Sequence, residues 1–209
     1  MEAGVIVLSG GKSSRMGRNK ALLPVGQQTA IEKIITELEP ICQQPIIVTN
    51  DPAEYAWLEL PSVSDEYPGK GPLAGIQAGL KASTFETNFV VACDMPFASV
   101  TIAREIIRFS EGYDACVPEV RGKLHPLFAA YQKRCLPALD QCLRQDRLRV
   151  IDLLNRIHVH YVREDDLCTK ERGQPQQLVT EHIDRLERAF FNMNRPDEYE
   201  RAKKWLTES

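Results

Sequence analysis

Between Ser9 and Lys20 the chain places two adjacent glycines, Gly10 and Gly11, two small hydroxyls, Ser13 and Ser14, and the cations Lys12, Arg15, Arg18 and Lys20. Each element suits a polyphosphate. The glycines let backbone N–H groups approach phosphate oxygens with no Cβ in the way. Ser13 and Ser14 can donate hydrogen bonds, and Arg15 and Lys20 can neutralise charge. The apolar run just before it, Val5-Ile6-Val7-Leu8, reads as a buried strand, so the anion cradle stands where open α/β sheets place their ligands. A Walker-type loop is excluded because Ile6 occupies the position of its first glycine. A dinucleotide fingerprint starting at Gly10 is excluded by Lys12 and Arg15, where it needs glycines. A basic surface turn is the plain alternative, and it has no need of so many ordered features.

Two carboxylates stand out beside the cradle. Asp94 ends the apolar run Val90-Val91-Ala92-Cys93 and precedes Met95-Pro96. A carboxylate there is costly to bury unless it meets a cation, and Mg²⁺ wants few carboxylates and several phosphate or water oxygens. Capping of the following helix is the other reading, and the cradle tips the balance to Mg²⁺. Asp65 lies shortly before Gly71-Pro72-Leu73-Ala74-Gly75 and can accept from the N1 and exocyclic amino edge of guanine, unless it is an ordinary solvated loop acid. The glycine turn itself permits close approach of a ligand, or else packs a helix tightly onto the sheet at Gly75 and Gly79. Asn50 follows another strand candidate and can read a base or ribose, or cap a short helix over Asp51–Trp57. His125 and the pair Asn192 and Asn194 are candidates for contacts to a second substrate, each with a structural role as the competing reading.

The elements that must position these residues alternate. Strands are predicted over Gly4–Ser9, Pro45–Thr49, Ser62–Ser64, Asn88–Cys93 and Asp114–Pro118, and helices over Ala30–Glu39, Leu73–Ala82 and Thr101–Phe109. Thr29 and Glu32 have capping-box spacing, Pro40 stops that helix, and Pro72 sits where a first-turn proline belongs. Such alternation predicts a single three-layer α/β/α domain over residues 1–209 with a mostly parallel sheet. After Pro118 the rhythm changes: Leu124–Tyr131 reads as extended, Gln132–Arg144 and Val150–Ile157 as helical, Val159–Val162 as a short strand and Pro196–Leu206 as a last helix. The polar stretch Arg163–Glu187 reads as a loop with a short helix.

Composition narrows the class. A net charge of −3 gives no global attraction to nucleic acid or acidic membranes, so phosphate affinity has to be local. No apolar stretch approaches the roughly 20 residues of a membrane span. Met1-Glu2-Ala3-Gly4 leads straight into the first strand, which leaves no room for a signal peptide and makes cytoplasm the expected compartment. The six cysteines include no Cys-x-x-Cys pair and form no metal-like cluster with the histidines, so neither disulfides nor zinc is expected.

In order along most of the chain, these motifs resemble the molybdenum cofactor guanylyltransferases. The opening motif is Leu8 to Gly17 with Lys20-Ala21-Leu22, followed by Asp65, Gly71–Gly75, Cys93-Asp94-Met95-Pro96, His125-Pro126 and Asn192–Pro196. Arg195 stands where the family usually carries Thr, and the connection over Arg163–Glu187 is longer than usual. The resemblance implies a Rossmann-like nucleotidyltransferase fold, with a nucleotide half near residues 1–100 and an acceptor half near 101–209. It implies transfer of GMP from GTP to the terminal phosphate of molybdopterin, with Mg²⁺ as cofactor. Lys20, Arg15 and Asp94 are then catalytic, Asp94 is the metal ligand, and Leu8, Ser9, Gly10, Gly11, Lys20, Asn50, Asp65 and Asp94 bind GTP. His125, Asn192 and Asn194 are expected at the acceptor. Other cofactor-biosynthesis proteins and recipient apoenzymes are the implied partners. Cytidylyl transfer to the same cofactor, a sugar-1-phosphate nucleotidylyltransferase and a catalytically silent nucleotide binder are the rival readings. Ser9-Gly10-Gly11 with Gly71–Gly75 favours guanine over cytosine.

Overall fold

Strand β1 (Gly4–Leu8) is buried along its whole length, and its side chains divide by parity between two cores. Val5 and Val7 face one cluster, and Ile6 and Leu8 face the other. An unbroken apolar run is what a strand covered on both faces requires. The computed structural model describes residues 2–10, 19–42, 44–167 and 185–207. Among the described residues its main sheet has eight strands. Parallel pairing joins β1 to β4 (Ile46–Val48) and to β6 (Thr87–Ala92), and β4 to β5 (Ser62–Val63). Beyond β6 come β9 (Phe128–Gln132), antiparallel to both its neighbours, then β7 (Ala115–Val120) and, parallel to β7, the edge strand β10 (Val159–Arg163). Strand β8 (Lys123–Leu124) pairs with β7. A small hairpin, β2 (Pro24–Val25) with β3 (Gln28–Thr29), stands apart from the sheet.

Helices cover both faces. On one lie α1 (Ala30–Leu38) and α3 (Val100–Phe109), packed through Ile31, Ile34, Leu38, Ile102 and Ile106 against Val5, Val7, Phe89 and Val91. On the other lie α2 (Pro72–Ala82), α4 (Leu136–Arg144) and α5 (Val150–Leu154), packed through Leu73, Ile76, Leu80, Leu139 and Leu153 against Ile6, Leu8 and Val90. The expected three-layer α/β/α arrangement with a mostly parallel sheet is therefore observed. The expected capping box is present: Glu32 N–H donates to Thr29 Oγ1 at 3.3 Å and Thr29 N–H to the Glu32 carboxylate at 2.7 Å. Pro72 is in the first turn of α2, after Gly71 at φ +73°, a conformation that excludes a side chain at little strain.

Several boundaries differ from the sequence reading. The extended stretch expected over Leu124–Tyr131 is interrupted by a turn, closed by Phe128 N–H donating to His125 C=O at 3.0 Å. Pro126, with no N–H to offer a ladder, lies inside that turn. The helix expected from Gln132 starts instead with a 3₁₀ turn over Lys133–Cys135, because Gln132 completes β9. The helix expected to reach Ile157 stops at Leu154. Of the stretch Arg163–Glu187, a short helix α6 (Glu164–Leu167) is seen, and residues 168–184 lie outside the described residues. The C-terminal helix spans Pro196–Thr207.

Candidate active site

The carboxyl ends of the parallel strands are laced together by the backbone. Ser9 N–H donates to Val48 C=O at 2.8 Å, Thr49 N–H to Val63 C=O at 2.9 Å, and Cys93 N–H to Leu8 C=O at 3.0 Å. Ser9 and Gly10 after β1, Asn50 after β4, Asp65 after β5 and Asp94 after β6 thus share one sheet edge. Chain order reverses about β1, between β4 and β6, and such a reversal opens the crevice in which α/β sheets hold ligands.

Asp94 and Lys20 form the charged centre. Their side chains approach to 3.8 Å, and each is only 19% exposed. Burial pushes the Asp94 carboxyl above the usual range, with Lys20 opposing the shift and Glu198 adding to it. Lys20 Nζ also donates to Asn194 Oδ1 at 2.8 Å. The segment carrying Asn194 is pinned at the same place, since Met193 N–H donates to Asp94 C=O at 2.8 Å. Glu198 accepts from the N–H groups of Asn194 and Arg195 at 2.6 and 2.8 Å. Asn194, expected at the acceptor, is in this structure a partner of Lys20. The neighbouring Cys93 thiol is pushed up to about 12 by burial, which withholds the thiolate that nucleophilic chemistry needs.

Asn50 and Asp65 form a reciprocal pair. Asn50 Nδ2 donates to Asp65 Oδ2 at 2.9 Å, and Asp65 N–H donates to Asn50 Oδ1 at 3.2 Å. Asn50 therefore does not cap the next helix, which is a 3₁₀ helix over Pro52–Leu58 with Asp51 at its N-cap. Asp65 Oδ1 is buried without a hydrogen-bond partner, as is Asn192 Oδ1. A carboxylate oxygen left so is an acceptor in want of a donor. Gly75 and Gly79 act in packing: a Cβ on Gly75 would lie 3.2 Å from Leu8 Cδ2, and one on Gly79 would overlap Ile6 Cγ2.

His125 lies on the turn after β8, with its ring 4.7 Å from that of Phe190. Burial, helped by Lys123, lowers its pKa. Gly11 and Arg15 lie outside the described residues. Sequence reasoning overlooked Asn19, Tyr55 and Glu198. Asn19 immediately precedes Lys20, and Glu198 follows Arg195 at capping-box spacing, so both have a local signal; Tyr55 is brought in by tertiary packing.

The sequence of residues 5–160 matches the model of the MobA-like NTP transferase domain. A probable molybdenum cofactor guanylyltransferase of Carboxydothermus hydrogenoformans is 36% identical over 200 residues, covering 96% of this chain and 94% of that one. A protein of the same description from Pelotomaculum thermopropionicum is 37% identical over 203 residues, covering 97% and 93%. Among solved structures, molybdopterin-guanine dinucleotide biosynthesis protein A from Archaeoglobus fulgidus superposes with a TM-score of 0.80 at 26% identity, covering 99% of this chain and all of that one. The chain belongs to the MobA-like NTP transferase family. In this MobA-like nucleotidyltransferase the described residues hold no group of three or more His, Cys, Asp and Glu side chains suited to a metal. A lone buried carboxylate with a raised pKa, beside a lysine, fits Mg²⁺ brought in with a polyphosphate, since that ion takes one or two carboxylates and fills its shell with phosphate and water oxygens.

Proposed function

We propose that this chain transfers GMP from GTP to the terminal phosphate of molybdopterin, giving the molybdopterin guanine dinucleotide and pyrophosphate. The observation that carries the reading is one sheet edge holding Lys20 against buried Asp94 together with an Asp65 oxygen that lacks a donor. Asp65, oriented by Asn50 through Oδ2, offers Oδ1 to the N1–H and exocyclic amino group of guanine. Cytosine presents an acceptor where guanine presents N1–H, and it leaves that oxygen unpaired, a strong ground for rejection.

A terminal phosphate is largely dianionic near neutrality, with a second pKa of about 6, so the nucleophile needs no base. Its oxygen attacks the α-phosphorus in line as the α–β P–O bond breaks, and pyrophosphate departs with the bonding pair. Catalysis is then positioning and charge neutralisation. Of the three ammonium N–H groups of Lys20, one is committed to Asn194, which steers the others toward Asp94 and the phosphates. Arg15 and the backbone of Gly10 and Gly11 serve the same polyphosphate, and Leu8 and Ser9 border it. Asp94 holds Mg²⁺, which supplies further neutralisation of phosphate charge. His125 and Asn192 serve the acceptor side, the half near residues 101–209. The enzyme works in the cytoplasm and meets the donors and recipients of its cofactor only transiently.

Pyrophosphate release with Mg²⁺ and molybdopterin, compared for GTP, CTP, ATP and UTP, tests the proposal. Release confined to GTP is expected. Preference for CTP would keep the chemistry and overturn the role of Asp65, and release only with a sugar 1-phosphate would overturn the acceptor.

A further inference from the structure

We propose that Tyr55 is a positioning residue for the polyphosphate site, holding Ser9 and Asn19 so that Lys20 is set opposite Asp94; the proposal rests on the nucleotidyl-transfer reading above. Tyr55 is 3% exposed, its ring built into the same core as Val7 and Ile34. Its hydroxyl bonds Ser9 Oγ at 2.5 Å and accepts from Asn19 Nδ2 at 2.7 Å. Those two residues stand ten positions apart in the flanks of the glycine-rich motif, and one phenol joins them.

Hydrogen bookkeeping orients the Asn19 amide. Asn19 Oδ1 accepts from Ala21 N–H at 3.1 Å, capping the short 3₁₀ turn Lys20–Leu22. That fixes the amide nitrogen toward Tyr55 and toward Glu54, whose carboxylate it reaches at 2.6 Å. Tyr55 oxygen is therefore an acceptor from Asn19, while either hydroxyl can donate in its bond with Ser9 Oγ. The bond holds Ser9 at the point where the chain leaves β1 toward Gly10. Burial raises the Tyr55 pKa, which keeps the phenol protonated. On the other side, the cap sets the first residue of the 3₁₀ turn, which is Lys20. Neither Tyr55 nor Asn19 touches a reacting atom; both act through Ser9 and Lys20.

The test compares wild type, Tyr55→Phe, Asn19→Ala and the double variant. Tyr55→Phe keeps the ring and removes only the hydroxyl. Amide hydrogen exchange is followed in the nucleotide-free protein, and KM and kcat are measured with GTP. In Tyr55→Phe, exchange at Ala21–Leu23 is expected to rise several-fold while α2 and β6 keep wild-type rates. KM for GTP is expected to rise roughly five- to tenfold, the scale of one lost hydrogen bond, with kcat within about twofold. The double variant should be less impaired than the sum of the singles, because the two substitutions share the Tyr55–Asn19 bond. Wild-type exchange at Ala21–Leu23, or a wild-type KM for GTP, in Tyr55→Phe would overturn the proposal. If the wild type turns over no GTP at all, the proposed function fails, and the exchange comparison still decides whether Tyr55 holds this turn.

Discussion

Asp94 is an unfavourable residue for the fold and a necessary one for the proposed chemistry. Its carboxyl pKa is raised mainly by burial, so in the absence of metal the folded chain binds a proton there more readily than the unfolded chain does. The sign follows from linkage. Below the ordinary carboxylate pKa of about 3.9 both states are protonated and nothing is lost. As pH climbs through the raised folded value, the ionised carboxylate subtracts from stability and goes on doing so at neutrality. Asp94→Asn is therefore expected to raise the melting temperature of the metal-free protein at pH 7, with the gain shrinking toward pH 4. The same substitution is expected to lower turnover at least about a hundredfold, the range of a lost charge-stabilising group. Thermal unfolding across pH beside a pyrophosphate-release assay checks both. A melting temperature lowered at pH 7 would show that the Lys20 contact outweighs the burial.

Elements decide how closely these residues can gather. Helix α2 rests on β1 through Gly75 and Gly79, and Ile6 fills the space that a methyl on Gly79 would need. Gly79→Ala gains about 1 kcal/mol of helix propensity and loses about 1–3 kcal/mol to overpacking. Ile6 is fully buried in a central strand and has nowhere to go, so the loss is expected to win. The melting temperature should fall by a few degrees, as differential scanning calorimetry would register; a rise would mean that α2 slides on the sheet without penalty. Such packing also marks what a reader of the sequence can see. The capping box at Thr29 and Glu32, Pro72 in a first turn and the apolar run of β1 are local, and each is legible from a few neighbouring residues. The direction of β9 is not local: it depends on which strand accepts it, and nothing within Phe128–Gln132 encodes that choice. The hairpin β2–β3 escapes notice because two-residue strands have no period, although Gly26 at φ +76° marks its turn. In the site, Asp65 and Asn50 were legible as candidates one by one, and their mutual hydrogen bonds were not, since 15 residues and a strand pairing separate them.

At the scale of the molecule, the site is closed by its two ends. Lys20 and Asn194 are 174 positions apart and meet at 2.8 Å, and the C-terminal helix is moored to β2 by Tyr199, whose hydroxyl donates to Pro24 C=O at 2.8 Å. Asn194→Ala leaves the Lys20 ammonium without its nearest partner. A hydrogen bond to a charged group contributes about 1.5–3 kcal/mol, so kcat/KM for GTP is expected to fall roughly ten- to a hundredfold, with little change in melting temperature because the mooring at Tyr199 stays. Steady-state kinetics and thermal unfolding on one preparation check this; an unaltered kcat/KM would remove Asn194 from the support of Lys20. The contact also has a meaning in time. A ribosome making this chain releases the β1 strand, Lys20 and Asp94 long before it reaches Asn194, so the nascent polypeptide carries Lys20 without its Asn194 partner throughout most of synthesis. A translation product cut short before Asn194 lacks that partner for Lys20.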